Sequence, residues 1–138
     1  MRVVLDANVW VSAAIQSGSS HRIVQRWLAG TESFEVVLCA ALIAEVTDVL
    51  TQRPRMRRWI PLDVAERYVE TLRVLADLVP DPAVVESTTR DLDDDYLVAL
   101  AREHGADYIV TGDKDLLDWP DQRPPVLTPA AFVELVGE

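Results

Sequence analysis

Cysteine occurs once in the 138 residues, at Cys39, so no internal disulfide can staple the fold. That thiol sits in an apolar run, and the expectation is a buried, reduced cysteine in a cytoplasmic protein. Histidine is limited to His21 and His104, and no HExxH zinc motif exists. Glycine is scarce too: the five glycines form no GxGxxG, Walker or GxSxG pattern, which excludes the common nucleotide loops and the nucleophile elbow. No apolar run approaches the ~20 residues that cross a bilayer, and Arg2 leads straight into strand-like sequence without a signal-peptide core, so no membrane role is expected. Basic residues are outnumbered 13 to 23 by acids, leaving a net charge of −10. That balance excludes a protein holding nucleic acid through a broad basic face. It does not exclude an acidic site that carries a divalent metal.

What the chain does have is a 49% hydrophobic composition with 26% charge, that of a globular protein, in one expected domain over residues 1–138. Val3-Val4-Leu5-Asp6 reads as a buried strand running into the apolar segment Val9 to Ile15. A helix is expected from His21 to Ala29, stopped by Gly30, then a second strand over Glu35 to Cys39. Ala40 to Gln52 carries a helical stripe of Leu42, Ile43, Val46, Val49 and Leu50, which Pro54 closes. Asp63 and Glu66 form a capping-box-like start to a helix through about Asp77, whose buried side is Ala65, Tyr68, Val69, Leu72, Leu75 and Ala76. A third strand lies at Leu78-Val79 or at Val84-Val85, and the sequence does not choose. A helix follows Asp91, a fourth strand spans Tyr108 to Thr111, and a short strand at Val126-Leu127 precedes a helix to Val136. Strands alternate with helices, so the expected architecture is a parallel α/β sheet. The four tryptophans read as core or interface residues.

The acids fall at informative places. Asp6 ends the first strand, at the sheet edge where open α/β folds bind ligands. Asp113 and Asp115 follow the fourth strand, Asp95 with Asp93 and Asp94 opens a helix, and Glu45 sits on the edge of an apolar stripe. Each has an ordinary reading alone: a helix cap, a turn, or a side chain reaching solvent. Together, carboxylates at several strand–helix switch points repel one another until one takes a proton or a cation binds. A carboxylate cluster without Cys or His suits Mg²⁺ or Mn²⁺, ions that hold phosphate oxygens and activate water. Arg53, Arg55, Arg57 and Arg58 form the one basic cluster; it reads as a solvated face or as a contact for phosphate or a partner.

Three stretches in this order resemble the PIN-domain family, in its VapC-related bacterial toxin branch. They are Val3-Val4-Leu5-Asp6-Ala7-Asn8-Val9, the run Arg90-Asp91-Leu92-Asp93-Asp94-Asp95-Tyr96-Leu97-Val98-Ala99-Leu100-Ala101, and Thr111-Gly112-Asp113-Lys114-Asp115-Leu116-Leu117. The closing Val126 to Phe132 also resembles the family's last strand and helix. The resemblance implies a three-layer α/β/α sandwich around a mainly parallel sheet of four to five strands. It implies a Mg²⁺- or Mn²⁺-dependent endoribonuclease for single-stranded RNA, a homodimer, and a cognate antitoxin that fills the groove. The implied acidic quartet is Asp6, Glu45, Asp95 and Asp113, with Asp115 as a further metal ligand and Asp93 open as a substitute for Asp95. Ala7 stands where the family usually has Thr or Ser, which leaves Asn8, Ser12 and Thr111 as candidate supports. A phosphatase of the haloacid-dehalogenase type needs a second Asp two residues after the first, and this chain has Asn8. The remaining alternative is a weakly active or inactive PIN-like module that binds a protein or RNA.

Overall fold

The computed structural model describes residues 1–30, 33–89 and 91–137; Arg90, part of the second resembling stretch, lies outside the described residues. Four strands, β1 (Arg2–Leu5), β2 (Glu35–Val36), β3 (Tyr108–Val110) and β4 (Val126–Leu127), pair in parallel in the order β2-β1-β3-β4. The two central strands are continuous apolar runs because both of their faces are covered. Val3, Val4, Leu5, Ile109 and Val110 are all fully buried. Their register sets Leu5 beside Val110, so the chain leaves both strands at one level.

Seven α-helices accompany the sheet among the described residues: α1 (Ala7–Ile15), α2 (Ser19–Leu28), α3 (Ala40–Thr47), α4 (Leu62–Leu75), α5 (Leu92–Glu103), α6 (Lys114–Leu117) and α7 (Pro129–Leu135). Travel from β1 to β2 runs one way along the sheet and travel from β2 to β3 runs the other. With right-handed crossovers, α1 and α2 lie on one face and α5 on the opposite one. Accordingly α2 packs on α1 and α7, whereas α5 packs on β1 and β3. This is the expected three-layer α/β fold. Its topological switch point falls between the carboxyl ends of β1 and β3. Edge-to-face pairs of Trp10 with Trp27 and Phe34 with Phe132 fill the core, and the Tyr68 hydroxyl donates to the Trp10 carbonyl at 2.7 Å, tying α4 to α1.

Several local expectations change. The third strand reduces to one parallel bridge of Leu78 to Leu38, and Val84-Val85 is an exposed loop. The apolar stripe after Ala40 passes from α3 into a π-helical turn over Asp48–Gln52, and Pro54 opens a 3₁₀ turn, Pro54–Arg58, where its missing N–H does no harm. The capping box at Asp63 does not form: Pro61 precedes α4, and Asp63 pairs instead with Arg67 one turn on. Leu75 is exposed at the end of α4, and Trp59, read as core or interface, is 52% exposed and so lies outside the core.

Candidate functional site

The switch point is built first from backbone. The Asp6 N–H donates to the Val110 carbonyl at 3.0 Å, so the residue after β1 is pinned to the end of β3. Asp6 then caps α1, its Oδ1 accepting from the Asn8 N–H at 3.4 Å. On the neighbouring strand Thr111, fully buried, donates its hydroxyl to Asp6 Oδ2 at 2.7 Å and accepts from the Asp113 N–H at 3.0 Å. One hydroxyl therefore fixes both strand-end acids. Thr111 supplies the support that Ala7 lacks. Asp113 caps the short α6 through the Asp115 N–H at 3.0 Å.

The third acid comes from the first turn of α5, which Asp91 caps by accepting from the Asp93 N–H at 2.9 Å. Successive helical residues point about 100° apart, and here that angle separates two roles. Asp94, 3% exposed, shares the buried stripe of Leu97, Val98 and Ala101 and lines the cleft at the sheet end. Asp95, 2% exposed, is turned toward the preceding loop. Its Oδ1 accepts from the Thr89 N–H at 2.6 Å, the Thr89 hydroxyl at 2.7 Å, the Thr88 N–H at 3.0 Å and the Thr88 hydroxyl at 3.3 Å.

The resulting cleft encloses about 380 Å³ and is lined by Asp6, Asn8, Glu45, Asp93, Asp94 and Asp113, together with Asp91, Tyr96 and apolar neighbours. Among the described residues no basic side chain lines it. The acids respond as crowded carboxylates should. Burial raises Asp6, aided by the charge of Asp113 and opposed by the Thr111 hydrogen bond. Burial and the charges of Asp113 and Asp91 push Asp94 up to about 7. Glu45, at the exposed rim, is raised by partial burial and by Asp6 and Asp93, with Arg53 acting the other way. Asp95 behaves oppositely: the Thr89 and Thr88 donors hold its carboxyl below the usual range.

The sequence-expected residues are thus divided. Asp6, Glu45, Asp113, Asp93 and Asn8 meet at the cleft, with Thr111 beneath. Asp95 does not line the cleft, since its Oδ1 accepts from Thr88 and Thr89; its neighbour Asp94 does. Asp115 is exposed and outside the lining, where its backbone serves the Asp113 cap. Ser12 lies apart, in a recess with Gln16, Ser17 and His21. Of the arginines, Arg57 donates to the Leu50 carbonyl, and Arg53 alone is felt at the cleft, by Glu45. The missed residue, Asp94, carried a signal: it precedes Leu97 and Val98 by three and four residues and so extends their buried stripe.

A hard divalent cation fits this donor set. Buried Asp94 Oδ2 has no hydrogen-bond partner, and an orphaned carboxylate oxygen among other carboxylates is expensive unless protonated or neutralised by a cation. Among the described residues no three donors are drawn together into a ready chelating group. Mg²⁺ does not require one, since it keeps several waters and uses one or two carboxylates.

Comparisons with known proteins bear on the family and the fold. The sequence pattern of the PIN domain matches residues 2–115. Among solved structures, a chain in the crystal structure of VapBC2 from Rickettsia felis bound to a DNA fragment from their promoter is similar at a TM-score of 0.59. It is 13% identical, over 92% of this chain and 97% of that one. PAE2754 from Pyrobaculum aerophilum is similar at a TM-score of 0.66 and 17% identity, over 100% of this chain and 91% of that one. At such identities the likeness is one of fold. No curated protein matches the chain significantly.

Proposed function

The chain belongs to the PIN-domain family, and from that premise we propose that it is a Mg²⁺- or Mn²⁺-dependent endoribonuclease for single-stranded RNA, the toxin of a toxin–antitoxin pair. The observation that carries this reading is the unpartnered Asp94 oxygen in a cleft shared with Asp6, Asp113 and Glu45. Asp6, Asp94 and Asp113 would hold the ion, which when bound offsets their charge and polarises a phosphodiester as a Lewis acid. The chain's own residues supply the rest. Thr111 orients Asp6 and the Asp113 backbone from a buried position, so two ligands are held before any substrate arrives. Glu45 stands at the open rim with a raised pKa, suited to take a proton from an attacking water. Asn8, exposed in the lining, offers an uncharged amide that can meet a phosphate oxygen without repelling it.

Mn²⁺ titrated calorimetrically into metal-free protein tests the site. The expected result is a binding isotherm, lost in Asp94→Asn, together with Mg²⁺-dependent cleavage of single-stranded RNA. A non-catalytic module using the cleft for a protein partner gives neither, and that result ends the nuclease reading. The antitoxin is proposed from the fold likeness to a VapBC2 chain, and a homodimer working in the cytoplasm completes the reading. Among the described residues no helix is long and apolar enough to cross a membrane.

A further inference from the structure

The arginine turn after α3 is not used by the acidic cleft, yet it adjoins it. A polyanion entering a pocket of carboxylates needs positive charge close by, and a bound ion neutralises the reacting phosphate rather than its neighbours. Among the described residues, five arginines are engaged elsewhere. Arg2, Arg67, Arg73 and Arg123 pair with carboxylates, and Arg102 donates to the Arg123 carbonyl and lies over Trp119. Arg55 and Arg58, both exposed, make no ion pair or side-chain hydrogen bond among the described residues. They flank buried Met56, which with Ile60 anchors the turn in the core, and Arg57 stiffens it by donating to the Leu50 carbonyl. Beside them Trp59 stands 52% exposed. The turn begins at the residue after Arg53, whose charge reaches Glu45 at the cleft rim. Only the end of α3 and the π-helical turn Asp48–Gln52 separate Glu45 from Arg53, so the arginine turn follows the cleft rim closely along the chain.

We propose that Arg55, Arg58 and Trp59 form a track for single-stranded RNA, the arginines meeting phosphates and Trp59 stacking on a base of the strand cut in the cleft. The identity of the strand rests on the nuclease reading above; the track does not. Stacking tolerates any base, because every base has a π-face, so the track contributes affinity with little sequence preference. An acidic protein segment is the other polyanion such arginines attract, but the exposed indole favours the nucleic acid.

The test is fluorescence anisotropy of a short labelled oligouridylate with metal-free full-length protein in EDTA, where nothing is cleaved. Trp59→Ala is expected to weaken binding by about fivefold or more, and Trp59→Phe to restore most of it. The double variant Arg55→Ala/Arg58→Ala is expected to lower the slope of log K against log salt by about 1.4, two single-strand phosphate contacts. All three positions are exposed, and circular dichroism checks that the variants fold. Unchanged affinity and slope in folded variants overturn the track, even if the wild type cleaves RNA with Mg²⁺. Loss of a glutamate-rich peptide's binding in the same variants, with RNA binding intact, overturns it equally. RNA binding that depends on these residues in a protein that never cleaves upholds the track and removes the nuclease.

Discussion

Asp94 and Asp95 are neighbours with opposite electrical demands. Asp94→Asn removes a candidate metal ligand, and RNA cleavage is expected to fall by two to three orders of magnitude, roughly the effect of losing one oriented electrostatic group. Asp95→Ala leaves the Thr88 and Thr89 donors without their acceptor, and urea unfolding is expected to show a loss of about 3 kcal/mol. Retained stability in Asp95→Ala with abolished metal binding would reverse the two assignments. Asp6 and Asp113 were readable from sequence because each stands in the turn that follows an apolar strand. That Asp95, of the triplet at 93–95, turns away from them was not, because the answer lies in Thr88 and Thr89, in a loop without periodicity. Glu45 was readable as a charge on an apolar stripe, whereas the role of Thr111 needed the pairing of β1 with β3.

Elements divide along the same line. The central strands and α2, α5 and α7 were legible because burial on both faces, or at helical spacing, writes itself into hydrophobic pattern, whereas α1 showed only as an apolar segment after β1. The π-helical turn and the 3₁₀ turn after it were not, since Arg53–Arg58 carry no apolar period and Met56 alone turns inward. Leu78 pairs at one point only, too little to mark a strand. Helix α7 offers a clean check on capping. The Thr128 hydroxyl accepts from the Ala131 N–H at 3.1 Å, and Pro129 occupies the first turn. Thr128→Ala is expected to lower unfolding free energy by about 1 kcal/mol, with RNA cleavage unchanged because no cleft residue lies on this helix.

For the molecule as a whole, the metal-free protein should respond to pH in two directions. Asp94, raised to about 7, binds a proton in the folded state that the unfolded chain, with a carboxyl near its ordinary value, releases. Between about pH 4 and 7 the folded state therefore holds more protons, and stability falls as pH rises. Asp6 and Glu45, also raised, act in the same sense. Asp95, lowered, contributes stability that is lost only as pH falls below the ordinary carboxyl range. Melting temperature in EDTA is thus expected to peak at mildly acidic pH, and Asp94→Asn to flatten the descent toward pH 8. A melting temperature climbing steadily to pH 8 contradicts it.

The hydrogen bond from Thr111 to Asp6 closes a span of 105 residues. Thr111 leaves the ribosome 105 residues after Asp6, so a nascent chain cannot assemble its acidic centre until β3 has been made. A fragment stopping at Asp107, before β3, lacks Thr111 and Asp113 and should therefore take up no Mn²⁺.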